Sequence, residues 1–225
     1  MSAEADVRMQ APEILARGPW PLEQVTTRWI EDSFEPSDAK VQAADAAIRE
    51  LQERGSPSHD GVAARLVNFN CDGDGLHVEL QPLRWALRLV PGDASASLAA
   101  LCVTRAADGR WLAGRRAPWV SSWAGRWALG AGGAVDAGES PADTLVRELR
   151  EEWAVEPERV RGEALLRLPQ DLVMFVGQAW LSAGDEDAVT PDSEHDEFAW
   201  WPAEIERWPP EAGEALPLMA RWLAE

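Results

Sequence analysis

The chain has no tyrosine, two cysteines and three histidines in 225 residues. Cys71 and Cys102 offer neither metal-ligand spacing nor a disulfide framework. His59, His77 and His195 form no pair at metal-ligand spacing, and a Ser/His/Asp triad has no local support. No apolar run is long enough to cross a bilayer. The start, MSAEADVRMQAPEIL, lacks a basic segment followed by an apolar core, so no signal peptide is expected. The expected compartment is the cytoplasm. Positive charge is scarce: 21 Lys and Arg stand against 39 Asp and Glu, for a net charge of −18. Such a surface repels nucleic acid and anionic membranes, and neither is expected as a partner.

What is present is a packable core, with 46% hydrophobic residues, and an ordered arrangement of acids between Gly133 and Val155. Pro141 suits the first turn of a helix, where a missing N–H is no loss. Glu139 and Asp143 put negative charge where the helix dipole favours it. From there to Trp153 nothing breaks the helix. At about 100° per residue, Ala142, Leu145, Val146, Leu149 and Trp153 share an arc of roughly 100° and form the buried face. Glu148, Glu151 and Glu152 share another arc, at i, i+3 and i+4. Like charges so placed repel by a few tenths of a kcal/mol per pair, and a divalent ion among them reverses the sign. Hard oxygen donors suit Mg²⁺ or Mn²⁺. A helix face of this composition is ordinarily solvated surface, with Arg147 pairing Glu151. The fixed spacing of the whole set favours the metal site.

That spacing resembles the Nudix box, Gly-x5-Glu-x7-Arg-Glu-U-x-Glu-Glu-x-Gly-U, where U is apolar. It runs from Gly133 through Glu139, Arg147, Glu148, Glu151 and Glu152 to Val155. One position departs: Ala154 stands where the family has the glycine that ends the helix in a left-handed conformation. Upstream, Gly130-Ala131-Gly132-Gly133 lacks the proline that many relatives carry. The resemblance implies an α/β fold, an α/β/α sandwich around a mixed sheet. It implies Mg²⁺-dependent hydrolysis of a nucleoside diphosphate linked to another moiety, with Mn²⁺ as a substitute. Glu148, Glu151 and Glu152 would hold the metal, with the Gly132 carbonyl. Arg147 would pair with Glu139 and brace the loop on the helix. The general base would be Glu148 or an acid of a later loop, Glu194, Asp196 or Glu197. Relatives are often dimers, so a homodimer is expected. The alternative is a non-catalytic nucleotide sensor on the same fold.

Residues 1–94 read as an N-terminal α+β extension with a recognition or dimerisation role, and 95–225 as the hydrolase domain, with Pro91-Gly92-Asp93 at the boundary. In the extension, Ser37-Asp38 opens a helix that Gly55 closes. Val62 to Phe69 and Leu76 to Leu80 read as strands, and Trp85 to Val90 as another. The Asp60-Gly61 and Arg65-Leu66 pairs bear a faint likeness to the extension of Nudix enzymes acting on UDP-sugars; ADP-ribose-like substrates stay equally open. Later strands are expected at Leu98 to Arg105, Arg110 to Arg116, Glu163 to Leu168, Leu172 to Leu181 and Phe198 to Trp201. Helices are expected at Pro202 to Trp208 and Gly213 to Leu223. Between Arg105 and Arg126 lie five arginines and a single acid, Asp108. Arg115, Arg116 and Arg126 are candidate phosphate contacts through forked hydrogen bonds, set against a role in balancing nearby acids. Trp111, Trp119, Trp123 and Trp127 are candidates either for stacking on a base or for core packing.

Overall fold

The computed structural model describes residues 11–57 and 60–224. The readings of His59 and of the first ten residues lie outside them. In chain order the elements are β1 (Glu13–Pro21), β2 (Val25–Trp29), α1 (Asp38–Glu53), β3 (Val62–Asp72), β4 (Gly75–Arg84), β5 (Leu98–Arg105), β6 (Trp111–Arg116), β7 (Trp127–Leu129), β8 (Ala131–Ala134), α2 (Pro141–Trp153), β9 (Arg159–Arg167), β10 (Val173–Trp180), β11 (His195–Trp201) and α3 (Ala215–Ala224). Eight strands form one sheet in the order β1-β9-β10-β5-β6-β11, with β8 beside β5 and β7 beside β6. The sheet is mixed: β10 runs parallel to β5 and antiparallel to β9.

Alternation along the strands explains the layers. On β5, Ala100 and Cys102 face the core that holds Leu145, Leu149 and Trp153 of α2. Val103 faces the other side and packs with Leu216, Ala220 and Leu223 of α3. Phe175 and Val176 of β10 divide in the same way. The result is an α/β/α sandwich. Leu145, Leu149 and Trp153 are wholly buried, and each contributes roughly 2 kcal/mol of apolar burial. A Cβ on Gly177 would collide with the Leu145 side chain, so this glycine sets how closely α2 lies on the sheet.

The first ninety residues share this core. β1 is the edge strand of the large sheet, antiparallel to β9. A smaller sheet, β2-β4-β3, sends Leu66, Leu76, Val78 and Leu80 into the same cluster as Leu145. Its strand β3 is joined to the segments that lead into α2 and into β5: Ala64 N–H donates to the Val135 carbonyl at 2.8 Å, and Leu66 N–H to the Ala96 carbonyl at 2.9 Å. A separate small cluster unites Ala44, Ile48 and Leu51 of α1 with Leu83, Leu87 and Val90.

Two expected elements differ. Trp85 to Val90 is a 3₁₀ turn over Trp85–Leu89, not a strand. The Asp60 carboxylate accepts from Ala86 N–H at 3.0 Å and the Gly61 carbonyl accepts from Trp85 N–H at 2.8 Å, which ends β4 and starts the turn. Pro202 to Trp208 holds only a single 3₁₀ turn, Ile205–Arg207. The Trp208 indole N–H donates to the Pro202 carbonyl at 2.7 Å and closes the segment on itself, and two prolines, Pro209 and Pro210, follow at once.

Candidate active site

The box helix is fixed at both ends by its own sequence. Ser140 caps it and forms a reciprocal capping box with Asp143: Asp143 N–H donates to Ser140 Oγ at 3.1 Å, and Ser140 N–H donates to the Asp143 carboxylate at 3.2 Å. At the far end Ala154 adopts the left-handed conformation, φ 56° and ψ 32°. The alanine thus takes the backbone that a glycine would favour.

Arg147 gathers the acids around α2. Its Nε donates to Glu139 at 2.9 Å, one terminal nitrogen to Glu148 at 2.7 Å and to Glu151 at 2.9 Å, and the other to the Ala134 carbonyl at 3.0 Å. Thr144 Oγ1 donates to the other Glu139 oxygen at 2.9 Å. Burial would lower the Arg147 pKa, but the Glu139 hydrogen bond and the fields of Glu148, Glu139 and Glu151 outweigh it and raise it. The expected Arg147–Glu139 brace is present, and the same guanidinium reaches Glu148 and Glu151.

Glu148 is 7% exposed and Glu152 is 3% exposed. Burial pushes Glu148 up to about 7; Arg147 pulls it down, and the like charge of Glu151 pushes it further up. Burial likewise holds Glu152 well above the ordinary carboxylate range. Glu152 Oε1 accepts from the Gly132 N–H at 3.1 Å, while Oε2 is buried with no hydrogen-bond partner. The nearest side-chain nitrogens to Oε2 are those of Arg116 at 3.7 Å and the His195 ring at 3.8 Å. His195 is buried between this carboxylate and the Trp153 ring, whose centroid lies 4.3 Å away. A Cβ on Gly133 would lie 2.6 Å from the Glu148 carboxyl carbon, so the glycine leaves room for the acid.

These groups border a cavity of about 580 Å³. Glu148, Glu151, Glu194, Arg116, Arg147, Gly132 and Gly133 line it on the box side, and Trp85 and Arg88 line it from the first part of the chain. A second cavity, of about 620 Å³, lies across α2 against Leu22 and Val25. It includes Glu139 and Arg150 but neither Glu148 nor Glu151, so the chemistry belongs to the first.

The candidate arginines separate. Neighbours on a strand face opposite ways: Arg116 enters the cavity and pairs with Glu194 at 2.9 Å, whereas Arg115 pairs with Asp196 at 2.7 Å and Glu197 at 3.2 Å. Glu194 therefore faces the cavity, while Asp196 and Glu197 are drawn away to Arg115. Arg126 is exposed and does not line the cavity. Trp119 lines it. Trp111 packs on Trp208 and Trp127 on Trp201, and Trp123 is 47% exposed. Arg88 and Trp85 carried no sign in the sequence of belonging to this site.

The donor set fits a hard divalent cation. Glu148, Glu151 and Glu152 supply carboxylate oxygens from one helix face, and Glu152 Oε2 is a buried acceptor with nothing to accept from. As they stand, no three or more acidic, histidine or cysteine side chains among the described residues are arranged to hold a metal ion. In this arrangement Arg147 holds Glu148 and Glu151, and the Gly132 N–H holds one oxygen of Glu152.

No helix among the described residues is long and apolar enough to cross a membrane. No curated protein matches the sequence. Solved structures with similarity include a MutT protein from Methanosarcina mazei Go1, 24% identical over 57% of this chain and 90% of that one, TM-score 0.43. Another is the NUDIX domain of Shewanella oneidensis NrtR in complex with ADP ribose, 21% identical over 57% and 88%, TM-score 0.41. A third is a C. elegans Ap4A hydrolase, 20% identical over 57% and 95%, TM-score 0.43. The family model of the NUDIX domain matches residues 96–223, a span that contains the whole box and its helix. The chain belongs to the Nudix family, and it is a hydrolase acting on pyrophosphate bonds.

Proposed function

We propose that the protein is a Mg²⁺-dependent hydrolase of a nucleoside diphosphate linked to a second moiety, such as a nucleotide sugar or an ADP-ribose-like compound. The observation that carries this reading is the pair of buried carboxylates, Glu148 and Glu152, with one oxygen unpartnered, next to a cavity of about 580 Å³. Glu148, Glu151 and Glu152 would hold the metal, with the Gly132 carbonyl as a further donor; Mn²⁺ offers the same preference for oxygen. When bound, the ion supplies charge neutralisation of the diphosphate and lowers the pKa of water.

The remaining work falls to the chain's own groups. Arg147 holds the ligand helix against the loop through Glu139 and the Ala134 carbonyl. Arg116 presents a largely buried guanidinium to the cavity, suited to a phosphate oxygen. Of the carboxylates that line the cavity, Glu148 and Glu194 are the candidates to take the proton from the attacking water. Arg115 and Arg126 are not retained as substrate contacts, since neither borders the cavity. Residues 1–94 act in this reading as a wall of the site as well as part of the core. The acidic surface argues against nucleic acid and for a small-molecule partner.

The test is a substrate panel with Mg²⁺ that includes UDP-glucose and ADP-ribose, read by release of a nucleoside monophosphate. Wild-type protein should turn over at least one member, and Glu152→Gln should remove most of that activity. An inert wild type under both Mg²⁺ and Mn²⁺ would sink this reading of the substrate class and its metal.

A further inference from the structure

The 3₁₀ turn Trp85–Leu89 belongs to the part of the chain that precedes the family domain, yet it borders the cavity that holds Glu148. Arg88 projects from this turn. Among the described residues its guanidinium has no carboxylate within ion-pair distance and no hydrogen bond; its carbon lies over the Trp85 ring, 5.6 Å from the ring centroid. The other two arginines of the cavity are engaged: Arg116 with Glu194, and Arg147 with Glu139, Glu148 and Glu151. Arg88 is half-buried, and burial lowers its pKa while the more distant Glu148 and Glu194 raise it. A guanidinium stays charged in such a place. A charge withdrawn from water without a paired anion is unfavourable. An anion entering the cavity relieves that cost.

The turn is also held firmly. Asp60 accepts from Ala86 N–H at 3.0 Å and from Arg84 Nε at 2.6 Å. Leu87 and Val90 are buried against Ile48 and Leu51 of α1. Arg88 is thus presented from a rigid support and not from a loose loop, which reduces the ordering cost of binding.

We propose that Arg88 is a substrate-recognition residue: its guanidinium binds an oxygen of the substrate's diphosphate in the cavity that Glu148 and Glu151 of α2 also line, so that residues outside the family domain complete the anion site. This rests on the proposed reading of the cavity as a diphosphate site. It assigns to the N-terminal part a direct contact with the charged centre of the substrate, beyond its share in the core.

The test measures binding of inorganic pyrophosphate to the full chain with Mg²⁺, by calorimetry, for wild type, Arg88→Ala, Arg88→Lys and Arg126→Ala. Loss of a charge-assisted hydrogen bond should weaken binding at least about tenfold in Arg88→Ala. Arg88→Lys should recover part of the loss, and Arg126→Ala, whose arginine lies outside the cavity, should bind as wild type does. Mn²⁺ affinity in the absence of pyrophosphate should be unchanged in Arg88→Ala, and the urea midpoint should not fall, because the native guanidinium has no ion-pair partner to lose. Undiminished pyrophosphate binding by Arg88→Ala overturns the proposal, and so does a lowered urea midpoint that accounts for the loss. Failure of the broader reading looks different: the substrate panel is then inert in wild type, while pyrophosphate binding and its dependence on Arg88 can still be read.

Discussion

Replacing Ala154 with glycine should make this protein more stable. Ala154 ends α2 with φ 56° and is exposed, so its Cβ buries nothing that would be lost. A left-handed conformation costs an L-residue about 1–2 kcal/mol. Glycine removes that cost but brings a more flexible unfolded chain, worth about 0.5–1 kcal/mol in the other direction. The net gain is on the order of 0.5–1 kcal/mol. For a chain of this size the melting temperature should rise by roughly 2 °C, and the urea midpoint should rise with an unchanged slope. Ala46 provides the control. It is exposed in the middle of α1, where glycine should instead cost about 0.5–1 kcal/mol. The same atoms are removed in both variants, and only the backbone conformation differs. If Ala154→Gly melts at or below the wild-type temperature, alongside Ala46→Gly, the left-handed assignment and the reasoning built on it are refuted.

Two further outcomes follow from the acids. With Glu148 raised from 4.5 to about 7 and Glu152 raised as well, the folded metal-free protein binds more protons than the unfolded chain across that interval. Its stability should fall as pH rises from about 4.5 through 7, by on the order of 3 kcal/mol for Glu148 alone. Acids whose pKa is depressed, such as Asp93 beside Lys40, act only below that window, where their contribution is lost as pH falls. Melting curves in a chelator between about pH 5 and 8 would show the fall, with a larger Mg²⁺ stabilisation at the upper end; a flat or rising profile contradicts it. Gly133→Ala puts a methyl group 2.6 Å from the Glu148 carboxyl carbon, so Mn²⁺ affinity should drop about tenfold or more while the fold persists, and titration giving wild-type affinity would count against Glu148 as a ligand.

The box helix was legible because its information is local. Caps, buried face and acidic face all repeat within one or two turns, and Ser140, Pro141 and Trp153 mark its limits without help from distant residues. β5, β9 and β10 were legible for a similar reason, since dense apolar runs leave little else for the chain to do. β1 escaped detection. Its burial is confined to Ala16 and Trp20, and what makes it a strand is pairing with β9, far away in sequence. Trp85 to Val90 misled because an apolar run fits a strand until Asp60 is placed beside it.

The candidate arginines teach the same lesson at the level of single residues. Arg115 and Arg116 are chemically identical neighbours, and composition cannot rank them. Strand alternation turns one into the cavity and the other toward Asp196 and Glu197. That choice also divides the acidic loop, leaving Glu194 at the cavity. By itself the sequence determined the box helix, its charge pattern, its family and the bond class, because i, i+3 and i+4 spacing needs only one helix to become geometry. Tertiary structure alone decided which arginines and which later acid reach that helix, and that Arg88 lines the same cavity. Those groups meet through sheet register and loop closure between distant segments, and no short-range pattern encodes either.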